Sequence, residues 1–316
     1  MNRLVAIVGP TASGKSRLAL HLAQIFNGEI VSADSRQVYR HMDIGTAKPD
    51  PEELSLVPHH LINIVNPDEA FSLAQYQVLA YEAIEDIQRR HKLPFLVGGS
   101  GLYIWAVLEG WKIPQVPPDS EFRQRLEEKA ANTGTEELYR ELIRLDPEAA
   151  RKVDPRNVRR LIRALEVYGK AGASFSRPAR KKKALSYNTM IIGLTADRTE
   201  LYRRIDQRVD GMIERGLVAE VEKLLNMGYD FNLPAMSGIG YRQVGLFLRG
   251  ELSLGTAIQQ IKFETHRFVR HQYSWFRLND ERIRWFDISK QIDLEIEATL
   301  SEYTGMGRTG IKPSLA

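Results

Sequence analysis

The segment from Gly9 to Ser16 constrains the fold of this chain more than any other feature of the sequence. It matches GxxxxGK[ST], the pattern of a phosphate-binding loop. The apolar run Leu4–Val8 before it is typical of a buried parallel strand, and a helix is predicted from about Lys15 to Phe26. A glycine-bounded turn at this place directs backbone N–H groups and the positive end of a helix at an anion. We therefore predict that Lys15 reaches the outer phosphate oxygens and that Ser16 holds Mg²⁺.

The loop pattern does not identify the phosphate compound. Nucleoside triphosphates are the usual ligands, but the chain has neither an NKxD guanine signature nor an LSGGQ motif. The one carboxylate at an early predicted strand end is Asp34. From its position alone, Asp34 is either a Mg²⁺ ligand, as in NTPases, or a base aimed at a substrate.

Alternating strands and helices predict the fold class. Further strands are expected at Glu29–Ala33, Pro94–Val97 and Thr189–Leu194, and a long amphipathic helix precedes the second of these. The first ends at Asp34, and the second ends at the glycine-rich turn Gly98–Gly101. We predict an α/β fold, a P-loop NTPase-like open parallel sheet flanked by helices with an all-helical insertion domain. Its ligand crevice lies outside the carboxyl ends of the strands.

The middle of the chain departs from this alternation. From Ser120 to about Gly172 the pattern is helical and charged, and Asp154-Pro155 is typical of a helix start. Later, one continuous helix is expected from Thr199 to Met227. The predicted organisation is an α/β core with C-terminal helices at 1–115 and 188–300, a helical basic insertion at 116–187 and a frayed tail at 301–316.

Positive charge is concentrated in the insertion. Residues 151–183 hold twelve basic and two acidic side chains, a net charge of +10, and their second part from Gly172 to Lys183 is expected to be a loop. Because the whole chain carries only +4, the remainder carries −6. Such a block favours a nucleic-acid partner, since phosphate contacts supply most sequence-independent affinity. The alternative is a solvated face with a charged loop.

The composition also bears on location. The chain has no cysteine, which excludes disulfides, thiolate metal sites and cysteine nucleophiles and fits a cytoplasmic protein. No apolar run approaches the roughly 18 residues that cross a bilayer. Gly9 and Pro10 interrupt the apolar start, so a signal peptide is not expected. We expect a cytoplasmic protein with no membrane partner.

Several motifs beyond the phosphate loop resemble the tRNA dimethylallyltransferase family. With the loop they run from residue 9 to about residue 277 in the family's order, and the absence of cysteine is similar to the bacterial form, without a zinc finger. The resemblance implies transfer of a dimethylallyl group from its diphosphate to N6 of the adenosine 3′ of the anticodon. The motifs are Asp34-Ser35-Arg36-Gln37-Val38-Tyr39, Met42–Pro49, His59–Ile62, Gly98–Ile104 and Gly238–Gln243.

The resemblance also implies roles for residues. Asp34 is the expected general base, because an exocyclic adenine amine must lose a proton as the C–N bond forms. Ser100 is expected to hydrogen-bond Asp34 or the target base. Arg204 and Arg208 share a helix face and are expected to clamp the diphosphate, the alternative being an exposed ion-pair face. The full expected diphosphate site is Gly9, Thr11, Ala12, Ser13, Gly14, Lys15, Ser16, Arg204 and Arg208, with Mg²⁺ as cofactor.

The expected partners are dimethylallyl diphosphate and the anticodon stem-loop of tRNA, bound by a monomer. Ser35 and Gln37 lie beside Asp34 and are expected to read the adenine or its neighbours. Arg36 is grouped with them, without a chemical role of its own. The remaining expected tRNA contacts are Arg123, Arg159, Arg160, Arg267 and Arg270.

Two other functions stay open at this point. A P-loop kinase for a small metabolite explains the loop and Asp34 but leaves the basic segment without a role. A non-enzymatic or ATP-driven nucleic-acid-binding protein explains the charge but not the strand-end motifs. ATP affinity, indifference to tRNA and the effect of removing the Asp34 carboxylate separate the three.

Overall fold

The computed structural model describes residues 2–114, 116–171 and 187–305. This part of the chain forms two compact units. The larger comprises residues 2–71, 75–108 and 187–305, and the smaller comprises residues 72–74, 109–114 and 116–171. The loop predicted from Gly172 to Lys183 lies outside the described residues.

A six-stranded parallel sheet forms the centre of the larger unit, with the strand order β3-β2-β4-β1-β5-β6. The predicted open parallel sheet is thus confirmed. Its middle strands are buried on both faces, and Leu4 to Val8 have no exposed surface at all. The strands are β1 (Arg3–Val8), β2 (Gly28–Ser32), β3 (His59–His60), β4 (Leu93–Val97), β5 (Asn188–Thr195) and β6 (Ile283–Asp287).

Helices flank this sheet and also build the smaller unit. No helix in the described ranges is both long and apolar enough to span a membrane. The larger unit contains α1 (Lys15–Ile25), α2 (Pro51–Leu56), most of α3 (Leu73–Arg89), α4 (Gly101–Leu108), α9 (Arg198–Glu214), α10 (Leu217–Asn226), α11 (Tyr241–Leu248), α12 (Leu254–Trp275) and α13 (Asp293–Thr304). The smaller unit contains α5 (Ser120–Thr133), α6 (Thr135–Leu145), α7 (Pro147–Ala150) and α8 (Val158–Ala171).

Among the described residues, the buried apolar side chains that hold the larger unit together include two clusters. One packs α1 and α13 against the sheet, with Leu22, Phe95 and Leu300 among its fully buried members. The other joins α9 to α12 with the segment that follows β2, around Ile205 and Tyr241. The second cluster includes Val38, Tyr39 and Met42, and so fixes the segment that emerges after β2.

The smaller unit has its own apolar core, formed by buried side chains of α5, α6 and α8 such as Leu138, Leu142 and Leu161. Within residues 116–171 the structure contains helices and turns but no strand. The buried carboxylate of Glu166 binds the side chains of Arg123 and Arg163. The apolar core and this ionic centre tie the helices of the unit to one another.

Three boundary predictions are wrong. The helix expected from Thr199 to Met227 breaks at Gly216, whose φ of 94° lies in the left-handed region, and α10 starts there. Asp154-Pro155 forms a turn, and α8 starts only at Val158, where Asn157 Oδ1 accepts from the Arg160 amide. The tail expected from residue 301 is helical up to Thr304, because that side chain is buried in α13.

Candidate active site

The phosphate loop connects β1 to α1. Gly9 has a φ of 140°, and a Cβ atom there would lie 2.4 Å from the Leu194 carbonyl oxygen of β5. A glycine is therefore required for the loop to leave the sheet. Ala12 and Gly14 also adopt positive φ, 63° and 82°, which turns successive peptide groups around a central space.

The side chains of the loop suit an anion. Lys15 Nζ donates to the Pro10 carbonyl oxygen over 2.5 Å. Burial and the nearby Arg208 lower the pKa of Lys15 to about 7, while Asp34 acts in the opposite direction. The Ser13 hydroxyl is buried and has no hydrogen-bond partner among the described residues. An anion in the loop would accept from both groups.

The exposed Ser16 hydroxyl lines a cleft of about 370 Å³ together with Lys15 and Glu53. The described residues contain no cluster of three or more histidine, cysteine, aspartate or glutamate side chains that could enclose a metal. At this cleft, Ser16 and Glu53 supply oxygen donors. This set fits Mg²⁺, which takes most of its ligands from phosphate oxygens and water.

Asp34 follows β2 at the carboxyl edge of the sheet. Its Oδ1 atom accepts from the Arg36 amide over 2.8 Å, which fixes the turn after the strand. Ser100, after β4, bonds to the neighbouring residue, since Ser100 Oγ accepts from the Ser35 amide over 3.1 Å. Two adjacent strands thus place Asp34 and Ser100 at the same edge of the sheet; Ser100 bonds to Ser35, and its contact with Asp34 or the target base stays a prediction.

The two arginines of α9 differ in their contacts. Arg208 Nη1 donates to Thr11 Oγ1 of the phosphate loop over 3.2 Å. Burial lowers the pKa of Arg208, and Asp34 opposes that shift. Arg204 also lines the cleft at the loop, but its Nε donates to Glu200 over 2.6 Å. Arg208 therefore binds the loop directly, and Arg204 is held beside it.

A cavity of about 340 Å³ lies between the phosphate loop and Asp34. Thr11 and Arg208 line it from the loop side, and Asp34 and Ser100 line it from the strand ends. Most of its apolar wall comes from α9 and α12 and includes Ile205, Val209, Met212, Ile261 and Phe268, with Ile239 beside them. The cavity thus joins an anion site to a carboxylate across a region suited to a small apolar group.

The residues after Asp34 are held by their surroundings. The Arg36 guanidinium donates to the carbonyl oxygens of Pro234 and Ala235 over 2.9 and 3.2 Å. Gln37 accepts from Ser32 Oγ over 2.9 Å and donates to the Ala47 carbonyl over 3.2 Å. Both side chains fasten the strand-end turn, and contact of these residues with tRNA stays a prediction.

The expected tRNA-binding arginines have different environments. Arg159 and Arg160 of α8 and Arg267 of α12 are exposed. Arg270 is exposed but donates to the Tyr202 hydroxyl over 2.8 Å. Arg123 instead forms a two-point contact with buried Glu166, at 2.9 and 2.7 Å, so its main partner is internal.

Two side chains of the site have no signal in the sequence. Gln272 of α12 is buried and contacts both the phosphate loop and the turn after β4. Glu220 of α10 accepts from the amides of Asp43, Ile44 and Gly45 at 2.7 to 3.1 Å. Only the fold reveals these partners, because they lie more than 170 positions away.

A phosphate loop that faces a strand-end carboxylate across an apolar-walled cavity is the arrangement of a P-loop transferase. The comparison with known families agrees, since the model of the IPP transferase family matches residues 37–279. The chain belongs to this family.

Curated relatives and solved structures agree. A protein of Dehalococcoides mccartyi named tRNA dimethylallyltransferase is 52% identical over 92% of this chain and 89% of its own length. One from a Roseiflexus species with the same name is 55% identical over 87% and 90%. The tRNA isopentenylpyrophosphate transferase of Bacillus halodurans has a TM-score of 0.71 at 40% identity, covering 96% and 97%. A eukaryotic dimethylallyltransferase solved acting on tRNA has a TM-score of 0.80 at 27% identity, covering 98% and 81%.

Proposed function

We propose that this protein transfers the dimethylallyl group of dimethylallyl diphosphate to N6 of the adenosine 3′-adjacent to the anticodon in tRNA, releasing diphosphate. The observation that carries the proposal is the cavity that connects Thr11 and Arg208 with Asp34. Its polar ends suit a diphosphate and an amine, and its apolar wall suits a five-carbon group. The names of the relatives give the same activity.

The diphosphate lies in the phosphate loop. The backbone amides of Gly14, Lys15 and Ser16, at the start of α1, face it. The Lys15 amine and the Ser13 hydroxyl donate to its oxygens. Arg208 adds a charge-assisted contact from α9, with Arg204 at the edge of the cleft. These groups stabilise the negative charge that grows on the leaving diphosphate.

Ser16 would hold Mg²⁺ beside the diphosphate, with Glu53 lining the same cleft. When bound, Mg²⁺ offsets the charge of the leaving group. The side chains of the chain itself, Lys15 and Arg208, bind the same anion from the other sides. The cation and the two basic side chains would together offset the negative charge of the leaving diphosphate.

Asp34 is the general base. As N6 of adenine forms its bond to C1 of the dimethylallyl group, the C1–O bond to the diphosphate breaks and the amine proton passes to the Asp34 carboxylate. The Arg36 amide orients this carboxylate. Ser100 supports the reaction through the turn it shares with Ser35 and at the cavity wall.

The anticodon loop presents the target base, since unstacked loop bases can be extruded and read on their edges. Ser35 borders the cavity at the acceptor end. In the smaller unit, exposed Arg159 and Arg160 would contact stem phosphates, as would Arg267 and Arg270 of α12. A tRNA-modifying monomer of this kind works in the cytoplasm.

A transfer assay tests the proposal. Purified protein is mixed with Mg²⁺, radiolabelled dimethylallyl diphosphate and unmodified tRNA that carries adenosine at the target position. We expect label in tRNA with the wild type, and a loss of about a hundredfold or more with Asp34→Asn, because its neutral amide is not a base. Asp86→Asn is the matched control, since Asp86 pairs with Arg89 and Arg90 on the outside of α3.

Three results would contradict the proposal in whole or in part. Absence of label with folded wild-type protein, together with tight ATP binding, would favour a kinase. Full activity of Asp34→Asn would remove Asp34 as the base while leaving the transfer reaction in place. Equal losses in Asp34→Asn and Asp86→Asn would show a general effect of lost charge.

A further inference from the structure

Gln272 of α12 connects two loops that are far apart in sequence. Its Oε1 atom accepts from the Thr11 amide over 2.8 Å. Its Nε2 atom donates to the Gly99 carbonyl oxygen over 3.0 Å. The side chain is 3% exposed, so both bonds form away from water. One amide group therefore joins the phosphate loop to the turn after β4.

The two loops have opposite tasks in the proposed reaction. Thr11 belongs to the phosphate loop, which binds the leaving group, and its hydroxyl also accepts a hydrogen bond from Arg208. Gly99 precedes Ser100, which accepts from the amide next to Asp34. Gln272 is thus bonded on one side to the diphosphate loop and on the other to the turn that supports the base.

The fit around Gln272 is tight and specific. A Cβ atom on Gly99 would lie 2.2 Å from Gln272 Nε2. Glutamine supplies a donor and an acceptor on one planar group, whereas methionine supplies neither of comparable strength and ionised glutamate supplies no donor. Both functions of the amide are used here.

We propose that Gln272 is a positioning residue, which sets the separation of the diphosphate end and the acceptor end of the cavity by bonding Thr11 and Gly99. The proposal rests on the proposed function, because it assigns a role within that reaction. A displacement reaction is sensitive to misplacement of its partners by about 1 Å, so loss of this connection lowers the rate as well as the affinity.

The first test compares Gln272→Met with Gln77→Met. Gln77 is also buried, and its Nε2 donates to the Ala106 carbonyl oxygen over 2.6 Å, away from the cavity. For Gln272→Met we expect KM for dimethylallyl diphosphate to rise and kcat to fall, each about tenfold, with KM for tRNA within about twofold. Gln77→Met should lower the urea midpoint of unfolding and leave both kinetic constants of the folded enzyme unchanged.

The second test uses the close contact with Gly99. Gly99→Ala should reduce kcat strongly, because its methyl group displaces the Gln272 amide. In a Gln272→Ala background the methyl group has room, since the next backbone atom, the Gly9 oxygen, is 3.6 Å away. The double variant should therefore be no slower than Gln272→Ala alone, a coupling that independent effects do not produce.

A purely structural role of Gln272 would be indicated if Gln272→Met loses stability but keeps both kinetic constants, as we expect for Gln77→Met. It would also be indicated if the effects of Gly99→Ala and Gln272→Ala on kcat are additive in the double variant. Either result overturns the proposal. Wild-type protein that transfers no dimethylallyl group at all would instead overturn the proposed function, so the two failures are distinct.

Discussion

Arg208 of α9 is hydrogen-bonded to the phosphate loop: its Nη1 atom donates to the Thr11 hydroxyl over 3.2 Å, although the two residues are 197 positions apart. Arg204, one turn earlier on α9, donates to Glu200 over 2.6 Å. Two arginines on one helix face therefore have different partners, and of these two Arg208 is the one that bonds to the phosphate loop.

This difference predicts unequal effects of substitution. Arg208→Ala should lower kcat/KM for dimethylallyl diphosphate about a hundredfold, since a hydrogen bond to a charged group contributes roughly 1.5–3 kcal/mol. Arg204→Ala should lower the same kcat/KM about tenfold or less, because the Arg204 guanidinium is already bonded to Glu200. Steady-state kinetics at saturating tRNA measure both, and equal losses would show that the arginines act as a symmetric clamp.

The low pKa of Lys15 predicts a pH-dependent effect on stability. Below pH 7 the amine is charged in the folded and the unfolded chain, so the folded state bears the full cost of burying the charge. Between pH 7 and the ordinary value of 10.5, the folded state has lost the proton and the unfolded state keeps it, so stability rises with pH. Lys15→Met should therefore stabilise the protein most below pH 7, and progressively less toward pH 10.

Urea unfolding of the wild type and of Lys15→Met at pH 6 and pH 9 checks this expectation. The difference between the two midpoints should be larger at pH 6. An identical difference at both pH values would mean that the lysine remains charged throughout. The same variant should have no measurable transferase activity, because it lacks the amine that we propose to bind the diphosphate.

Glu220 should stabilise the segment that follows the Asp34 turn. Its carboxylate accepts from three successive amides and from the Tyr241 hydroxyl, whose pKa is raised well above its usual value by burial and by Glu220 itself. Glu220→Gln replaces one acceptor oxygen with a donor, so it should lower the free energy of unfolding by about 1–3 kcal/mol. Denaturant unfolding measures this, with exposed Glu222→Gln on the same helix as the control. Equal stability of the two variants would contradict it.

The basic residues of the smaller unit should separate into two groups. Arg159→Ala and Arg160→Ala should each weaken tRNA binding, with unchanged melting temperature. Each should also reduce the slope of log K for tRNA binding against log salt concentration by about one. Arg123→Met should destabilise the unit, because it removes one partner of buried Glu166. Filter binding at several salt concentrations and thermal unfolding distinguish the groups. A reduced melting temperature for Arg160→Ala would show that this side chain is structural.

The fold and the phosphate loop could be predicted because their signals are local. The loop pattern, the apolar strand before it and the carboxylate after β2 all lie within the first forty residues. The short edge strands β3 and β6 were missed, since a two-residue strand has no periodicity and β6 exposes Arg284. The break at Gly216 was missed because apolar spacing continues on both sides of it.

Part of the candidate site could not be predicted from one sequence. The partners of Gln272 and Glu220 depend on which loops the fold places beside α12 and α10. Arg123 could be recognised as basic, but its pairing with Glu166 depends on the packing of α5 against α8. Such side chains look like ordinary surface residues until their tertiary neighbours are known.

The order of the strands determines how far apart Asp34 and the phosphate loop begin. β2, β4 and β1 are adjacent in the sheet, and Asp34, Ser100 and the phosphate loop follow them in that order. Neighbouring strands lie about 4.8 Å apart, so the strands leading to the base and to the phosphate loop are about 10 Å apart. The hydrogen-bonded sheet thus fixes the spacing of the strand ends, and the loops beyond them, which Gln272 bonds to each other, need to span only the remaining distance between donor and acceptor.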